Sequence, residues 1–290
     1  MAERLFLGVD GGGTTSRARL TDANGNRLGE GRSGSSNLNM GIALAADSIL
    51  AATREALAAA GLPESRLANI VAGFGLAGGN VTALADALRR QPFPFANIDV
   101  TSDAVVACLG AHGGNDGGIL IVGTGSQGLA LVNGTMKTVG GWGFELSDGG
   151  SGAQLGLAAL RAALLAFDDL GPRSGLTDAI LARFAGGPPD AAVWGKTATP
   201  SDYGSFAPLV IEHFGKGDPV AQTLLAQSID AISAMMRRLI QFGADRIALM
   251  GGLAPIFQPL LPPELQAILV EARGDAMDGA LAFARRKGTA

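Results

Sequence analysis

The sequence predicts an α/β protein in which one fold is used twice, and three observations carry that prediction. Two apolar runs of strand length, Leu5-Phe6-Leu7-Gly8-Val9 and Gly118-Ile119-Leu120-Ile121-Val122, each end in a loop of glycines and hydroxyls. Each run is followed by two more alternating strands joined through an Asn-Gly turn, at Asn24-Gly25 and again at Asn133-Gly134. The 290-residue chain is 47% hydrophobic and 17% charged with 44 glycines, which excludes disorder and suits a well-buried core with many tight loops.

Taken in order, strands over residues 5–9, 17–22 and 27–31 form an antiparallel meander. A polar loop from Gly34 to Gly41 leads to an alanine-rich amphipathic helix over 43–60, stopped by Gly61-Leu62-Pro63. Strand 69–76, helix 81–90, strand 98–101 and helix 104–111 complete the order βββαβαβα. After the glycine-rich hinge His112 to Gly117, the pattern restarts with strands over 118–122, 128–132 and 136–139. A mostly helical insertion over about 151–241 interrupts the second copy, before strand 246–250, strand 267–270 and a last helix over 276–287. The expected domains are 1–115 and 116–290, facing each other across a cleft.

The net charge of −4 offers no general field for nucleic acid, and Arg237-Arg238 and Arg285-Arg286-Lys287 read as solvated surface. No apolar run reaches the roughly 20 residues that spanning a bilayer requires, and the N-terminus lacks the basic and apolar regions of a leader. A cytoplasmic enzyme without membrane or nucleic-acid partners is the expectation. The lone Cys108 excludes an intramolecular disulfide and a cysteine zinc site, and His112 and His213 have no partners at metal spacing.

Chemistry concentrates in the glycine loops. In Asp10-Gly11-Gly12-Gly13-Thr14-Thr15, glycines uncover backbone N–H groups, threonines add donors, and Asp10 at a strand end suits water around a Mg²⁺ that bridges nucleotide phosphates. A tight turn is the plainer reading, but Gly123-Thr124-Gly125-Ser126 in the matching position of the second copy makes a pair of phosphate loops the stronger one. No Gly-x-x-x-x-Gly-Lys-Ser/Thr is present, so neither loop is a P-loop. Thr101-Ser102-Asp103-Ala104 sets a carboxylate at a strand-to-helix junction. On position alone Asp103 reads equally as a helix N-cap or as a base for an attacking hydroxyl, and its surroundings favour the base. The segment 140–152 offers curling glycines, Glu145, Asp148 and a Trp142 able to stack on a sugar face. A flexible loop whose Ser147 or Asp148 caps the next helix is its alternative. Asn37 could reach sugar hydroxyls or simply bond its own backbone, and Gly251-Gly252-Leu253 could seat an adenosine or merely turn the chain. The segment from Trp194 to Phe206 reads as an active-site cover or a subunit contact.

The motif order Asp10-Gly-Gly-Gly-Thr, Thr101-Ser-Asp-Ala, Gly123-Thr-Gly-Ser, Gly141-Trp-Gly with Ser147-Asp-Gly-Gly-Ser, and Met250-Gly-Gly-Leu resembles the BadF/BadG-type ATPase and N-acetylglucosamine kinase family, nearly end to end. Ser33-Gly-Ser-Ser-Asn37, Ala107-Cys-Leu-Gly-Ala-His112, Trp194-Gly-Lys-Thr-Ala, Asp202-Tyr-Gly and Gly217-Asp-Pro are most similar to bacterial glucosamine kinases. The resemblance implies duplicated ribonuclease H-like domains of the actin and hexokinase type. It also implies Mg·ATP-dependent phosphorylation of an amino sugar at its 6-hydroxyl, D-glucosamine ahead of N-acetylglucosamine. Asp103 would be the base, and Asp10 would organise the metal. Asn37, Ser102, Thr124, Trp142, Gly143, Glu145 and Asp148 would surround the sugar. Gly12, Gly13, Thr14, Thr15, Gly123, Gly125, Ser126, Gly251 and Gly252 would lie along ATP. A homodimer, with the insertion as its contact, is expected. One cysteine leaves no place for the zinc segment or iron–sulfur cluster of more distant relatives. A non-catalytic sugar or nucleotide sensor on the same fold is the alternative from another class.

Overall fold

The computed structural model describes residues 3–288. Internal packing divides the chain into two units. The first comprises the chain up to Gly117, Leu131–Met136 and the chain from Glu271; the second comprises Gly118–Ala130 and Lys137–Val270.

In the first unit the elements run β1 (Leu5–Gly11), β2 (Ser16–Thr21), β3 (Arg27–Ser33), α1 (Ile42–Ala59), β4 (Ile70–Leu76), α2 (Thr82–Arg89), β5 (Asn97–Ser102) and α3 (Asp103–Ala111). This is the expected βββαβαβα order. The sheet order is β3-β2-β1-β4-β5, antiparallel in the meander and parallel from β1 through β4 to β5. In the parallel register Asp10 lies opposite Gly75, and Leu76 lies opposite Ser102. Asp10 and the start of α3 therefore emerge at the same edge of the sheet.

In the second unit β6 (Gly117–Val122), β7 (Ser126–Val132), β8 (Thr135–Gly140) and β9 (Ile247–Met250) form a sheet of order β8-β7-β6-β9. It repeats the first sheet without the far edge strand. The strand expected over 267–270 is reduced to a single parallel bridge, Ile247 with Leu269, and two bonds, from the Ile247 N–H to the Ile268 carbonyl and from the Val270 N–H to the Ile247 carbonyl. The physical reason is length. The short α11 (Pro263–Gln266), which follows α10 (Ala254–Phe257), runs until only a few residues remain before the chain leaves the unit. Between β8 and β9 stand α4 (Gly152–Phe167), α5 (Gly175–Leu181), α6 (Pro188–Trp194), α7 (Pro200–Gly204), α8 (Ala207–Gly215) and α9 (Pro219–Gln241). Among the described residues, no helix is long and apolar enough to cross a membrane.

The last helix, α12 (Ala276–Gly288), packs with the first unit, whereas the expected division at 115 and 116 puts it in the second. Alternation along the strands explains why. Leu5, Leu7 and Val9 of β1 join Ala72, Phe74 and Leu76 of β4 and the apolar face of α1 in one buried cluster. The opposite face carries Phe6 and Val71, which bury against Leu281 and Ala284 of α12. That face is also lined with glycine. A Cβ on Gly8 or Gly73 would fall 2.4 Å from the carbonyl oxygens of Met277 or Ala280, so the helix backbone rests directly on the sheet. Arg19 fixes the N-terminus of α12. Its buried guanidinium donates to Asp275 at 2.8 and 2.9 Å, to Asp278 at 2.5 Å and to Glu30 at 2.6 Å. Burial works against that charge, but the carboxylates outweigh it and hold the Arg19 pKa above the ordinary arginine value.

Candidate active site

In the first unit, the chain leaving β1 closes a short loop through the Gly12 N–H to the Thr15 carbonyl at 3.0 Å. Gly11 sits inside the fold, since a Cβ there would overlap the Ser36 hydroxyl, which itself accepts from Ser16 at 2.7 Å. Gly12 and Gly13 differ. Neither has a left-handed φ, and a Cβ on either would meet nothing closer than 3.9 Å. The fold supplies no reason for glycine there, and a ligand approaching the backbone does. Thr14 and Thr15 are exposed beside them. Asn37 uses its carboxamide oxygen locally, accepting from the Asn39 N–H at 2.9 Å, while its Nδ2 lies about 4.0 Å from where a Gly13 Cβ would be.

Asp10 accepts from Arg17 at 2.6 Å, a pair that the antiparallel register places directly opposite on β1 and β2. Arg17 is a site residue that the sequence reading missed; its signal was equal spacing from Asp10 across the loop. Among the described residues no group of three or more His, Cys, Asp or Glu side chains is built to hold a metal. Mg²⁺ carried by nucleotide phosphates and water needs only one or two carboxylates, and Asp10 beside the open loop fits that requirement.

At the β5–α3 junction the helix cap is Ser102, not Asp103. Ser102, extended at φ −78° and ψ 155°, is the N-cap, and its hydroxyl accepts from the Val105 N–H at 3.3 Å. Ser102 is buried and committed to that bond, so the expectation that it touches sugar finds no support in its position. Asp103 is the first helical residue and is half-buried, accepting from the adjacent Ala104 N–H at 2.8 Å. Burial pushes its carboxyl above the ordinary carboxylate range, the nearby Asp10 charge adds to this, and the Ala104 N–H opposes it.

In the second unit the loop after β6 stands between two cavities. One, of about 840 Å³, is lined by Gly123, Thr124, Gly252, Leu253, Ile256, Pro208 and Ile211 with Ser201, Ser205 and Glu212 at polar positions. The other, of about 350 Å³, is lined by Gly123, Thr124, Gly125, Ser126, Gln127, Gly141, Gly143 and Asp148. Gly123 and Gly252, like Gly12 and Gly13, have open space where a Cβ would go. Gly251 does not: its φ is 98° and a Cβ would strike the Val122 carbonyl oxygen at 2.3 Å, so it shapes the turn. Gly125 and Ser126 lie on the smaller cavity. The Ser126 hydroxyl donates to the Gly149 carbonyl at 2.9 Å, and a Cβ on Gly125 would come within 2.9 Å of the Asp148 carboxylate.

The segment after β8 carries Asp148 into the smaller cavity at a left-handed φ of 62°. Burial raises the Asp148 pKa and the Glu145 charge adds to it, against backbone bonds from Ser126 and Gly143. Trp142 is 74% exposed and lines neither of these cavities; Glu145 lines a third, of about 410 Å³, with Phe144, Gln154, Leu157, Arg161 and Tyr203. Phe144 stacks on Tyr203 at 5.3 Å, and Tyr203 continues into an aromatic cluster with Trp194, Phe206 and Phe184. Within the segment from Trp194 to Phe206 only Tyr203 and Phe206 are buried; most of the rest is exposed, and Ser201, Gly204 and Ser205 face the large cavity.

Two sheets of the same strand order, each with a glycine loop after its first strand, define the class: the fold is that of the actin-like sugar kinases, ATP-dependent enzymes. The chain matches the BadF/BadG/BcrA/BcrD ATPase family over residues 7–270 and belongs to it. It is 40% identical over 279 residues to the glucosamine kinase GspK of Vibrio cholerae, covering 96% of this chain and 95% of that one. It is 28% identical to the N-acetyl-D-glucosamine kinase of Dictyostelium discoideum, over 85% of this chain and 82% of the other. A solved structure from Chromobacterium violaceum, provisionally assigned as an N-acetylglucosamine kinase, superposes with a TM-score of 0.82 at 36% identity, covering 98% of this chain and all of that one.

Proposed function

We propose that the protein transfers the γ-phosphoryl group of ATP to the 6-hydroxyl of D-glucosamine. The observation that carries this reading is Asp103, a half-buried carboxylate left out of the helix cap by Ser102, whose pKa burial raises. In this reading Asp103 aligns the sugar hydroxyl and takes its proton. The amides of Gly12, Gly13 and Gly123 face the phosphates, and the apolar wall of Leu253 and Ile256 with Gly252 receives the adenosine. Asp10 would hold Mg²⁺ through water, and the ion would neutralise charge on the transferring phosphoryl group.

Asn37, Thr124, Gly143 and Asp148 are assigned to the sugar. Glucosamine precedes N-acetylglucosamine because the free amine is a cation, and Asp148 with the Glu145 charge beside it favours a cation. The 40% identity to the Vibrio glucosamine kinase supports the same choice, and the Dictyostelium relative supports the N-acetyl form as the second reading. Work in the cytoplasm as a homodimer joined through the helical insertion goes with this reading; size-exclusion with light scattering tests the dimer.

The deciding experiment is coupled ADP release with glucosamine, N-acetylglucosamine, glucose and mannose, in the wild type and in Asp103→Asn. Glucosamine should give the highest kcat/KM. The variant should lose at least about a hundredfold in turnover with ATP affinity nearly unchanged. Preference for the N-acetyl sugar would reverse the substrate assignment, retained turnover in Asp103→Asn would remove the base, and no ADP release with any sugar would leave a sensor.

A further inference from the structure

Within the segment 141–148 the backbone bonds are two turn bonds, from the Leu146 and Ser147 N–H groups to the Gly143 carbonyl at 3.2 and 2.8 Å. Gly140, Gly141, Gly143, Asp148 and Gly150 all have left-handed φ, and its large apolar side chains Trp142 and Leu146 are 74% and 86% exposed. The cavity of about 410 Å³ lies beside Phe144 and Glu145, so much of the segment has no packed layer beneath it. From β7 the Ser126 N–H reaches the Asp148 carboxylate and the Gln127 side chain lies against Gly141, and Phe144 stacks on Tyr203; the backbone between Phe144 and Ser147 is held by Gln154, in the first turn of α4. The Gln154 Nε2 donates to the Phe144 carbonyl at 2.5 Å and to the Ser147 carbonyl at 3.2 Å. One side chain thereby grips both ends of the stretch that precedes Asp148. Ser151-Gly-Ala-Gln154 reads as a capping box, in which the glutamine would return to the Ser151 N–H. Here the Ser151 N–H goes to the Asp148 carbonyl at 3.0 Å instead, and the Gln154 side chain turns its Nε2 to the loop.

We infer that Gln154 is a positioning residue for the acceptor sugar: through two carbonyls it sets the loop that presents Gly143 and Asp148 to the smaller cavity. The inference rests on the sugar-kinase reading for its kinetic consequence but not for the loop itself. Removing the donor leaves two carbonyls to water and frees a glycine-rich segment, so acceptor affinity falls while the nucleotide loops are untouched. Gln154→Met keeps length and helix propensity but no donor; Gln154→Lys keeps a donor of similar reach; Gln154→Glu turns acceptors on acceptors.

Two measurements test it. In steady state, Gln154→Met and Gln154→Glu should raise the KM for glucosamine on the order of tenfold, with the KM for ATP within twofold of wild type and Gln154→Lys closer to wild type than either. In hydrogen exchange on the ligand-free protein, amides of 143–148 should exchange faster in Gln154→Met, with those of β6 and α3 unchanged. Equal KM values and equal exchange in wild type and Gln154→Met would overturn the inference. So would a rise in both KM values together, which a merely structural role predicts. If no sugar is phosphorylated, the kinase reading fails and the exchange comparison alone decides the role of Gln154.

Discussion

Burial holds the Asp103 carboxyl above the ordinary carboxylate range, and the Asp10 charge pushes the same way. A folded-state pKa above the unfolded one has a fixed sign. Below the ordinary pKa both states are protonated and nothing is lost; as pH rises, the unfolded carboxyl ionises first and unfolding gains. Asp103→Asn should therefore raise Tm at pH 7 by on the order of a few degrees while abolishing turnover, with the gain disappearing near about pH 3. Thermal melts across pH check this, and an equal or lower Tm at neutral pH would count against it. For the same reason the acid limb of kcat/KM should lie above the pKa of an exposed aspartate. In the sequence, position alone leaves this residue between cap and base, because both roles occupy a strand-to-helix junction, and only the surrounding motifs favour the base. Which residue caps the helix depends on whether Ser102 is extended with its hydroxyl turned to the Val105 N–H, which the neighbouring backbone decides. Arg17 was within reach of a register argument, and Gln154 was hidden by a pattern that ordinarily means a cap.

At the scale of loops and strands, glycines that look alike in the sequence divide into two kinds. Gly8, Gly11, Gly73 and Gly251 are pressed against backbone or a buried hydroxyl, whereas Gly12, Gly13, Gly123 and Gly252 have room for a methyl group. Alanine at the first kind should destabilise by about 1–3 kcal/mol or more through overpacking. Alanine at Gly13, Gly123 or Gly252 should leave the denaturation midpoint near wild type while raising the KM for ATP about tenfold or more. Denaturant melts with steady-state kinetics separate the two groups, and a destabilised Gly252→Ala would contradict the division. The paired loops, the meanders and the insertion were legible because hydrophobic period and Asn-Gly turns are local signals. Strand 267–270 was not, because alternation shows that a segment can pair but not how much chain remains to pair with β9. Gly125 and Ser126, expected along the nucleotide, contact Asp148 and Gly149 and line the smaller cavity together with Gly123.

Across the whole molecule, the chain crosses between units at Gly117, near Ala130, near Met136 and at Val270, so neither unit is one continuous stretch of sequence. The first unit is complete only with α12, whose Gly279 would place a Cβ 1.8 Å from the Val106 carbonyl of α3. Cys108, on the other side of α3, reports on whether the first unit stays closed: its buried thiol donates to the Gly117 carbonyl at 3.4 Å, and burial pushes it up to about 12. In the intact protein alkylation of Cys108 should be slow without denaturant; in a chain ending at Val270 it should be fast, at least about a hundredfold. Equal protection in the shortened chain would show that the sheet does not depend on α12. The sequence could not reveal this, because a terminal amphipathic helix fits either sheet, and matching it to Gly8 and Gly73 takes the three-dimensional face.

Arg19, threaded early and clamped by Asp275 and Asp278, also sets a clock. Translation is vectorial, so the residues that carry the proposed base and metal carboxylate leave the ribosome long before the helix that seals their sheet. At about 5–20 residues per second, the wait is on the order of ten seconds or more. During that interval a flat glycine-lined face with Phe6 and Val71 is uncovered, and nascent chains are exposed to chaperones and to one another. Premature termination anywhere before Glu271 leaves that interval open for good, so a nearly full-length product should behave in the cell as an unfinished one.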